Sequence, residues 1–233
     1  MEPLKITFTF SSPLLIDSEY PIHMDAIIAS AECRMMEEIM GAENPWLNAD
    51  DLALYLDRTT GDDWVWKASR LIFTPASGIN FQNQTRKSDP DRYFKDLGLY
   101  WTGKKPSEEK PIGSINPETF RINTGSGQLR GYQWLTASQW MSKAEAWVIG
   151  DKVQLEYLLG SYITHIGKMS RNDYGRIKSM TIESTTDVDN WKLRVLPLNE
   201  DGLAGVSYEP VNACLRAPYW KNTNRRQVKE PLV

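Results

Sequence analysis

Residues Leu4–Phe10, with the sequence LKITFTF, alternate apolar and polar side chains over their whole length. Successive side chains of a strand point to opposite faces, so this alternation predicts a β-strand with one apolar face directed at a core. The next residues, Ser11-Ser12-Pro13, end the pattern, because proline lacks the backbone donor that strand pairing needs. The chain therefore begins with one strand of a half-buried sheet.

Two helices and several further strands are predicted after this strand. Apolar residues at helical spacing favour a helix that begins at Met24, and Gly41 is a suitable residue to end it. A second helix follows Asp151, whose side chain can cap its first turn. In chain order the predicted elements are the helix Met24–Met40, the strands Trp64–Thr74 and Ala144–Ile149, the helix Lys152–His165 and the strands Ile177–Glu183 and Trp191–Leu196.

A strand pair is also predicted within Phe120–Trp134, with Gly125-Ser126-Gly127 as its turn. When the insertion and one hairpin strand are left out, the order β-α-β-β-α-β predicts an α+β fold of the ferredoxin-like type, in which an antiparallel sheet carries two helices on one face. RNA-binding domains of the RRM type share this fold, but their aromatic RNP1 signature is absent from the predicted strands. We expect a single domain over residues 1–233. Residues 78–119 are rich in Gly, Pro, Lys, Asp and Asn, which predicts a projecting insertion, and residues 197–233 form an extension that we expect to be irregular.

The composition is that of a globular protein without a metal or disulfide framework. Hydrophobic residues make up 41% and charged residues 24% of the 233 positions, which is enough apolar material for a sizeable core. Cys33 and Cys214 are the two cysteines and lie far apart. Two distant cysteines indicate no disulfide framework, so we expect a reducing cytoplasm. Nucleotide-binding loop and zinc-protease motifs are absent, so we expect no cofactor and no metal. No signal peptide and no membrane-spanning stretch is visible, so we expect no membrane contact.

Charge is distributed unevenly along the chain. Residues 1–63 carry three basic and thirteen acidic side chains, a net charge of −10, whereas residues 214–233 carry five basic and one acidic, a net charge of +4. Residues 85–131 and 165–178 each have a net charge of +3. Nucleic-acid binding depends on a local basic surface, so this segregation favours it despite the overall charge of −3. The acidic part is suited to a basic neighbouring protein.

A basic segment bracketed by glycines joins the second predicted helix to the next strand. We refer to residues Gly167–Lys178, with the sequence GKMSRNDYGRIK, as the glycine loop. It contains four basic side chains against one acidic one, with the aromatic ring of Tyr174 among them. Cations for the phosphates and a flat ring for a base are what a single-stranded nucleic acid requires. The alternative interpretation is a solvated turn, since a short basic loop is by itself a weak motif.

Three segments together resemble the CRISPR-associated RAMP (repeat-associated mysterious protein) superfamily. More narrowly, they resemble the subunit of type IV effector complexes that holds the 5′ handle of the CRISPR RNA. The first segment is the N-terminal strand followed by Ser12–Leu15 and Pro21–Ala29. The second is Ile166–Ile177, which is similar to the glycine-rich loop of RAMP proteins, and the third is Arg216–Trp220. Together the three segments span most of the chain.

The resemblance implies a non-catalytic subunit that binds the CRISPR RNA at its 5′ handle and nucleates assembly of a Cascade-like ribonucleoprotein in the bacterial cytoplasm. Its partners would be the CRISPR RNA, the backbone and other subunits of the effector complex, and target DNA indirectly through that complex. It also implies that the insertion, residues 78–119, forms a thumb that contacts the guide and the neighbouring subunit. The residues assigned to RNA are Gly167, Lys168, Arg171, Asn172, Tyr174, Gly175, Arg176 and Lys178 in the glycine loop, Arg86, Lys87 and Arg92 in the insertion, and Arg216 and Trp220 near the C-terminus.

His23 carries the competing enzyme hypothesis. Some RAMP proteins cut precursor RNA without a metal ion, using histidine, tyrosine or lysine as acid and base, and histidine titrates near neutrality. His23 stands at the start of the first predicted helix, near Tyr20, where it could act in this way. A local structural role is the other interpretation, and the same two interpretations hold for His165. A protein-interaction module without an RNA role is a third hypothesis.

Overall fold

The computed structural model describes residues 1–15, 21–41, 51–86, 132–219 and 224–232. Residues Met1–Asn80 and Ser138–Val233 form one compact unit, and Phe81–Ala137 form a second. The fold is mixed α/β with antiparallel sheets. The elements are β1 (Glu2–Phe10), β2 (Leu14–Leu15), α1 (Met24–Met40), β3 (Ile72–Pro75), β4 (Asn80–Arg86), β5 (Tyr132–Gln139), β6 (Met141–Gly150), α2 (Lys152–Tyr162), a 3-10 helix (Ser170–Asn172), β7 (Ile177–Ser184), a 3-10 helix (Asn190–Lys192), β8 (Tyr208–Cys214) and β9 (Arg225–Pro231).

A four-stranded sheet with the strand order β3-β6-β1-β7 lies at the centre of the first unit. β1 pairs antiparallel with β6 on one side and with β7 on the other. Every second residue of β1 is buried from Leu4 to Phe10, so the strand predicted from the alternation is confirmed. β7 confirms the strand predicted after the glycine loop, and it lies at an edge of the sheet.

Both helices contribute to the core that covers the apolar face of β1. α1 spans the predicted residues and ends at Gly41, whose φ of 56° is the left-handed conformation that glycine adopts without strain. The carboxylate of Asp151 caps α2 by accepting a hydrogen bond from the Gln154 amide at 3.0 Å, as predicted. α2 ends at Tyr162, three residues before the predicted end.

A second, smaller core lies beneath the β8–β9 hairpin, so the irregular structure expected for the C-terminal extension is wrong. The two strands pair antiparallel from Tyr208–Pro231 to Cys214–Arg225. The pattern gave little sign of β9, because Val228 and Pro231 are its buried residues and the rest of the strand is polar. The buried residues of this second core are Val65, Trp191, Val195, Leu196, Leu215 and Val228.

Two strand predictions differ from the structure. Regular pairing in the segment predicted as Trp64–Thr74 is confined to β3, because Trp66, Ala68 and Arg70 form isolated bridges to three different segments. The strand predicted over Trp191–Leu196 is replaced by a 3-10 helix and a buried irregular segment.

The predicted insertion, residues 78–119, begins with the strand β4 rather than with an irregular loop. The remainder of the insertion after β4 lies outside the described residues. β4 and β5 are neighbours in a three-stranded sheet of order β2-β5-β4, in which β2 pairs with β5 through Leu14–Gln139 and Leu15–Ser138.

Candidate nucleic-acid interface

The glycine loop is closed at its base by backbone hydrogen bonds. The amide of Ile166 donates to the carbonyl of Gly175, and the amide of Ile177 donates to the carbonyl of Thr164, each at 2.9 Å. These bonds join the chain leaving α2 to the chain entering β7. The residues between them are therefore held as one closed loop rather than as a free connection.

The segment that follows β1 anchors the same base. The amide of Gly175 donates to the carbonyl of Pro13 at 2.9 Å. The amide of Arg176 donates to Ser12 Oγ at 2.8 Å, and its carbonyl accepts from the amide of Ser11 at 2.9 Å. The Ser-Ser-Pro sequence that ends the first strand thus supplies three hydrogen-bonding groups to the glycine loop.

The two loop glycines have different roles. Gly175 is buried with φ of 67°, and a Cβ atom placed on it would lie 1.9 Å from the carbonyl oxygen of Ile166. Gly167 also has a positive φ, 93°, but a Cβ atom there would meet no atom within 4 Å. Gly175 is therefore required for the loop to close, whereas Gly167 leaves the backbone open to solvent.

The tip of the loop is a single 3-10 turn, Ser170–Asn172, between two residues of left-handed conformation. Met169 and Asp173 have φ of 58° and 66°, which is uncommon for residues other than glycine. The amides of Asn172 and Asp173 donate to the carbonyls of Met169 and Ser170 at 2.9 and 3.0 Å. The turn therefore fixes the backbone from which Arg171 projects.

Asp173 organises the charges at the base of the loop. Its Oδ1 lies 2.8 Å from Arg176 Nε and 3.1 Å from His165 Nε2, while the other ring nitrogen of His165 lies 2.9 Å from Thr164 Oγ1. Arg176 is thus already engaged by a carboxylate. The side chains of Lys168, Arg171 and Lys178 are also exposed, so these three offer positive charge to phosphates.

The eight predicted loop residues lie in the closed loop and at the start of β7. Asn172 and Lys178 are exposed, and Tyr174 is half-buried, so only part of its ring is accessible to a base. Arg86 ends β4 in the second unit. The predicted contacts Lys87, Arg92 and Trp220 lie outside the described residues.

The guanidinium group of Arg216 lies over the ring of Trp64 in the first unit. Its guanidinium carbon lies 4.1 Å from the ring centroid of Trp64, and that of Arg58 lies 4.8 Å from the same ring. Trp64 in turn meets Trp66 edge-on, with ring centroids 5.0 Å apart. Cation–π contacts of this kind hold guanidinium groups in place, so the described contact of Arg216 is with the protein itself.

His23 is a buried residue. It is 2% exposed, and its ring stacks on Tyr219 with centroids 4.3 Å apart and planes inclined by 10°. Burial lowers the pKa of His23 well below its usual value, and the positive charges of Arg194 and Arg70 lower this pKa further. The imidazole is therefore neutral at physiological pH, and its Nδ1 has no hydrogen-bond partner among the described residues.

Sequence reasoning missed a buried ionic network beside His23. Asp25 and Arg194 are both fully buried, with Arg194 Nη2 lying 3.4 Å from Asp25 Oδ2. The Tyr219 hydroxyl donates to Asp25 at 2.8 Å and accepts from Arg194 at 2.8 Å. Burial raises the pKa of this phenol well above its usual value, so it remains a donor. The network joins two segments of the resemblance, Pro21–Ala29 and Arg216–Trp220.

Arg194 also accounts for the irregular segment before β3. It donates to the carbonyls of Trp66, Ala68 and Leu215 at 2.6, 3.0 and 2.6 Å. No local pattern predicts these contacts, because the partners lie far from Arg194 in the sequence and a lone arginine is ordinarily expected at the surface.

Two features are absent from the described part of the chain. No cluster of three or more histidine, cysteine, aspartate or glutamate side chains that could hold a metal ion occurs there. The described helices also include none with the length and apolar character that crossing a membrane requires.

The fold and the loop define a class, namely mixed α/β proteins that present a fixed basic loop at the edge of an antiparallel sheet. The chain belongs to the family described as CRISPR type IV associated protein Csf3, whose model matches residues 2–231. The membership of a type IV CRISPR-associated family predicted from the sequence is thereby confirmed.

Among solved structures, the chain is similar to one in "Crystal structure of Csm3-Csm4 subcomplex in the type III-A CRISPR-Cas interference complex". The two chains are 12% identical, the match covers 93% of this chain and 78% of that chain, and the TM-score is 0.35. No curated protein matches the chain.

Proposed function

We propose that this protein is a non-catalytic RNA-binding subunit of a type IV CRISPR ribonucleoprotein. In this proposal it holds the 5′ handle of the CRISPR RNA and nucleates assembly of a Cascade-like complex. The observation that carries the proposal is the glycine loop, a closed and anchored loop that exposes Lys168 and Arg171 at its tip. Cations on a fixed backbone suit phosphate groups, and membership of the Csf3 family supports a role in type IV CRISPR systems.

The proposal includes a ferredoxin-like core of the RAMP type with a thumb formed by residues 78–119. The element order β1-α1-β3-β6-α2-β7 supports the core, since it follows the β-α-β-β-α-β sequence of that fold. The strand order β3-β6-β1-β7, with antiparallel neighbours, supports it as well. The proposed partners are the CRISPR RNA, the backbone and other subunits of the complex, and target DNA through the complex, all in the cytoplasm.

The first test removes the two exposed charges at the loop tip. We expect Lys168→Gln with Arg171→Gln to weaken binding of handle RNA by about 10- to 100-fold and to reduce the slope of log K against log salt by about 1.4, since each lost phosphate contact removes about 0.7. Arg176→Gln should have a smaller effect, because Asp173 already engages that guanidinium. Fluorescence anisotropy over a salt series measures both quantities.

Lys152→Gln is the control for this test, because Lys152 is a partly exposed lysine outside the loop, 3.9 Å from Glu156 on the same helix. It should change binding less than threefold, an order-of-magnitude allowance for one screened surface charge. If the loop variant bound handle RNA as tightly as the control, the loop would not be the RNA contact.

The alternative is a metal-independent endoribonuclease with His23 as acid or base. The lowered pKa of His23 supports the non-catalytic proposal, because an imidazole that burial keeps neutral carries no proton to donate as a general acid at physiological pH. Incubation with repeat RNA in EDTA separates the two. Specific cleavage that a His23→Ala variant loses would replace the non-catalytic proposal with the enzyme.

A further inference from the structure

A small cavity lies beside His23, between the start of α1 and the β8–β9 hairpin. Its volume is about 230 Å³. This equals roughly eight water volumes, which suits one planar ring system rather than a whole nucleotide with its sugar and phosphate. Its lining includes His23, Val195, Val211, Asn212, Tyr219, Arg225 and Glu230.

His23 is the unusual member of this lining. Buried polar groups in folded proteins nearly always have a hydrogen-bond partner, and leaving one without a partner costs about 1–3 kcal/mol. The Nδ1 atom of His23 is buried and has no partner in the described part of the chain. The side chain does not cap α1 either, although His23 occupies the position that precedes the helix. Nothing in the described structure therefore explains why a histidine, rather than an apolar ring, stacks on Tyr219 here.

The chemistry of the lining suits the edge of a nucleobase. A neutral imidazole offers one donor and one acceptor, and the exposed amide of Asn212 at the cavity mouth offers both as well. Val195 and Val211 supply apolar walls, while Arg225 and Glu230 bring one charge of each sign to the lining. Single-stranded RNA is read through unstacked bases that are hydrogen-bonded on their edges, so this combination fits one such base.

The sheet gives the distance that an RNA strand would span between the cavity and the glycine loop. His23 forms a bridge with Arg70, two residues before β3, and β3 is three strand spacings of about 4.8 Å from β7, or roughly 15 Å across the sheet. The pairing register places Arg70 level with Lys5, five residues from the loop end of β1 at Phe10, which adds about 17 Å along the strands. The total is on the order of 20–25 Å, the length of a few nucleotides.

We propose that the cavity receives a single unstacked base of the bound RNA and that His23 hydrogen-bonds to its edge. The inference rests on the proposed function, since it names the site at which the bound RNA would be read. The glycine loop then holds the phosphate backbone, and the cavity recognises one base. Each site can therefore be tested while RNA still binds at the other.

The chain contains two histidines, one at each site, and this allows a single experiment to test both. Protein labelled with ¹⁵N-histidine gives imidazole signals from His165, which contacts the loop carboxylate of Asp173, and from His23 in the cavity. Titration with handle RNA should shift both sets of signals. A series of RNAs with one abasic nucleotide each should contain one member that still shifts the His165 signals but leaves those of His23 unchanged.

A His23→Phe variant tests the same contact through affinity. Phenylalanine keeps a ring against Tyr219 and removes the buried nitrogen, so the melting temperature should be unchanged or higher. Handle RNA should bind about 10-fold more weakly, the cost of one lost base-edge contact. An RNA with the abasic substitution identified above should bind the variant and the wild type equally.

The outcomes separate the two proposals. If saturating RNA shifts the His165 signals but never those of His23, the cavity holds water only and this inference is overturned, while the proposed function stands. Unchanged affinity of the His23→Phe variant overturns it as well. Shifts at His23 alone would keep the cavity and reject the loop, and the absence of any RNA binding would reject both.

Discussion

Replacement of Asp25 by alanine is expected to destabilise the protein by about 3–5 kcal/mol, because it leaves the guanidinium of Arg194 buried without a counter-charge. Both side chains are fully buried, and the Tyr219 hydroxyl loses its acceptor in the same change. Total stabilities are about 5–15 kcal/mol, so the loss is a large fraction of the whole. Thermal unfolding should show a fall in melting temperature of about 10 °C or more.

Two further variants serve as comparisons for Asp25→Ala. Tyr219→Phe removes the hydroxyl but keeps the ring that stacks on His23, so we expect a smaller loss of about 1–3 kcal/mol. Lys152→Ala breaks an exposed pair with Glu156 and should cost less than about 0.5 kcal/mol. An Asp25→Ala variant as stable as Lys152→Ala would show that the network does not hold the C-terminal segment to α1.

Gly175→Ala is the second change with a large expected effect. A Cβ atom at this position would lie 1.9 Å from the Ile166 carbonyl oxygen, so the backbone at the base of the loop must move. The positive φ adds about 1–2 kcal/mol for alanine, and we expect a total loss of stability of about 2–4 kcal/mol. The hydrogen bond from Ile166 to Gly175 should open, which faster amide exchange at Ile166 would detect, and handle-RNA binding should weaken with it.

Gly167→Ala is the matched control, because it also has a positive φ but open space around it. The variant should lose only about 1–2 kcal/mol of stability, from alanine at a positive φ, and amide hydrogen exchange at Ile166 should be unchanged. Equal destabilisation by the two substitutions would contradict the separate roles assigned to these glycines.

The elements that the sequence predicts well are those whose signal is local. Helix α1 has apolar residues at helical spacing and a terminal Gly41, and both of its ends agree with the structure. β1 has seven alternating residues that bury one face against the core, and the cap of α2 depends on Asp151 alone. The glycine loop was also predicted as a unit, because its glycines and charges lie in one short stretch.

The features that the sequence did not predict depend on partners far along the chain. Arg194 is fully buried because carbonyl groups and the Asp25 carboxylate, 169 residues away, surround it. β9 forms because it pairs with β8 and buries Val228, although its other residues are mostly polar. The burial of His23 likewise follows from its stacking on Tyr219, which no pattern around His23 indicates.

We propose above all that this protein recognises the base sequence of the 5′ handle of the CRISPR RNA as well as the negative charge of the RNA. The most direct measurement compares the affinity of the purified protein for handle RNA with that for an RNA of the same composition and scrambled order, at one salt concentration. We predict that the handle binds at least about 10-fold more tightly, a difference of about 1.4 kcal/mol that base contacts supply. Equal affinity for the two RNAs, or no binding of either, would contradict the account.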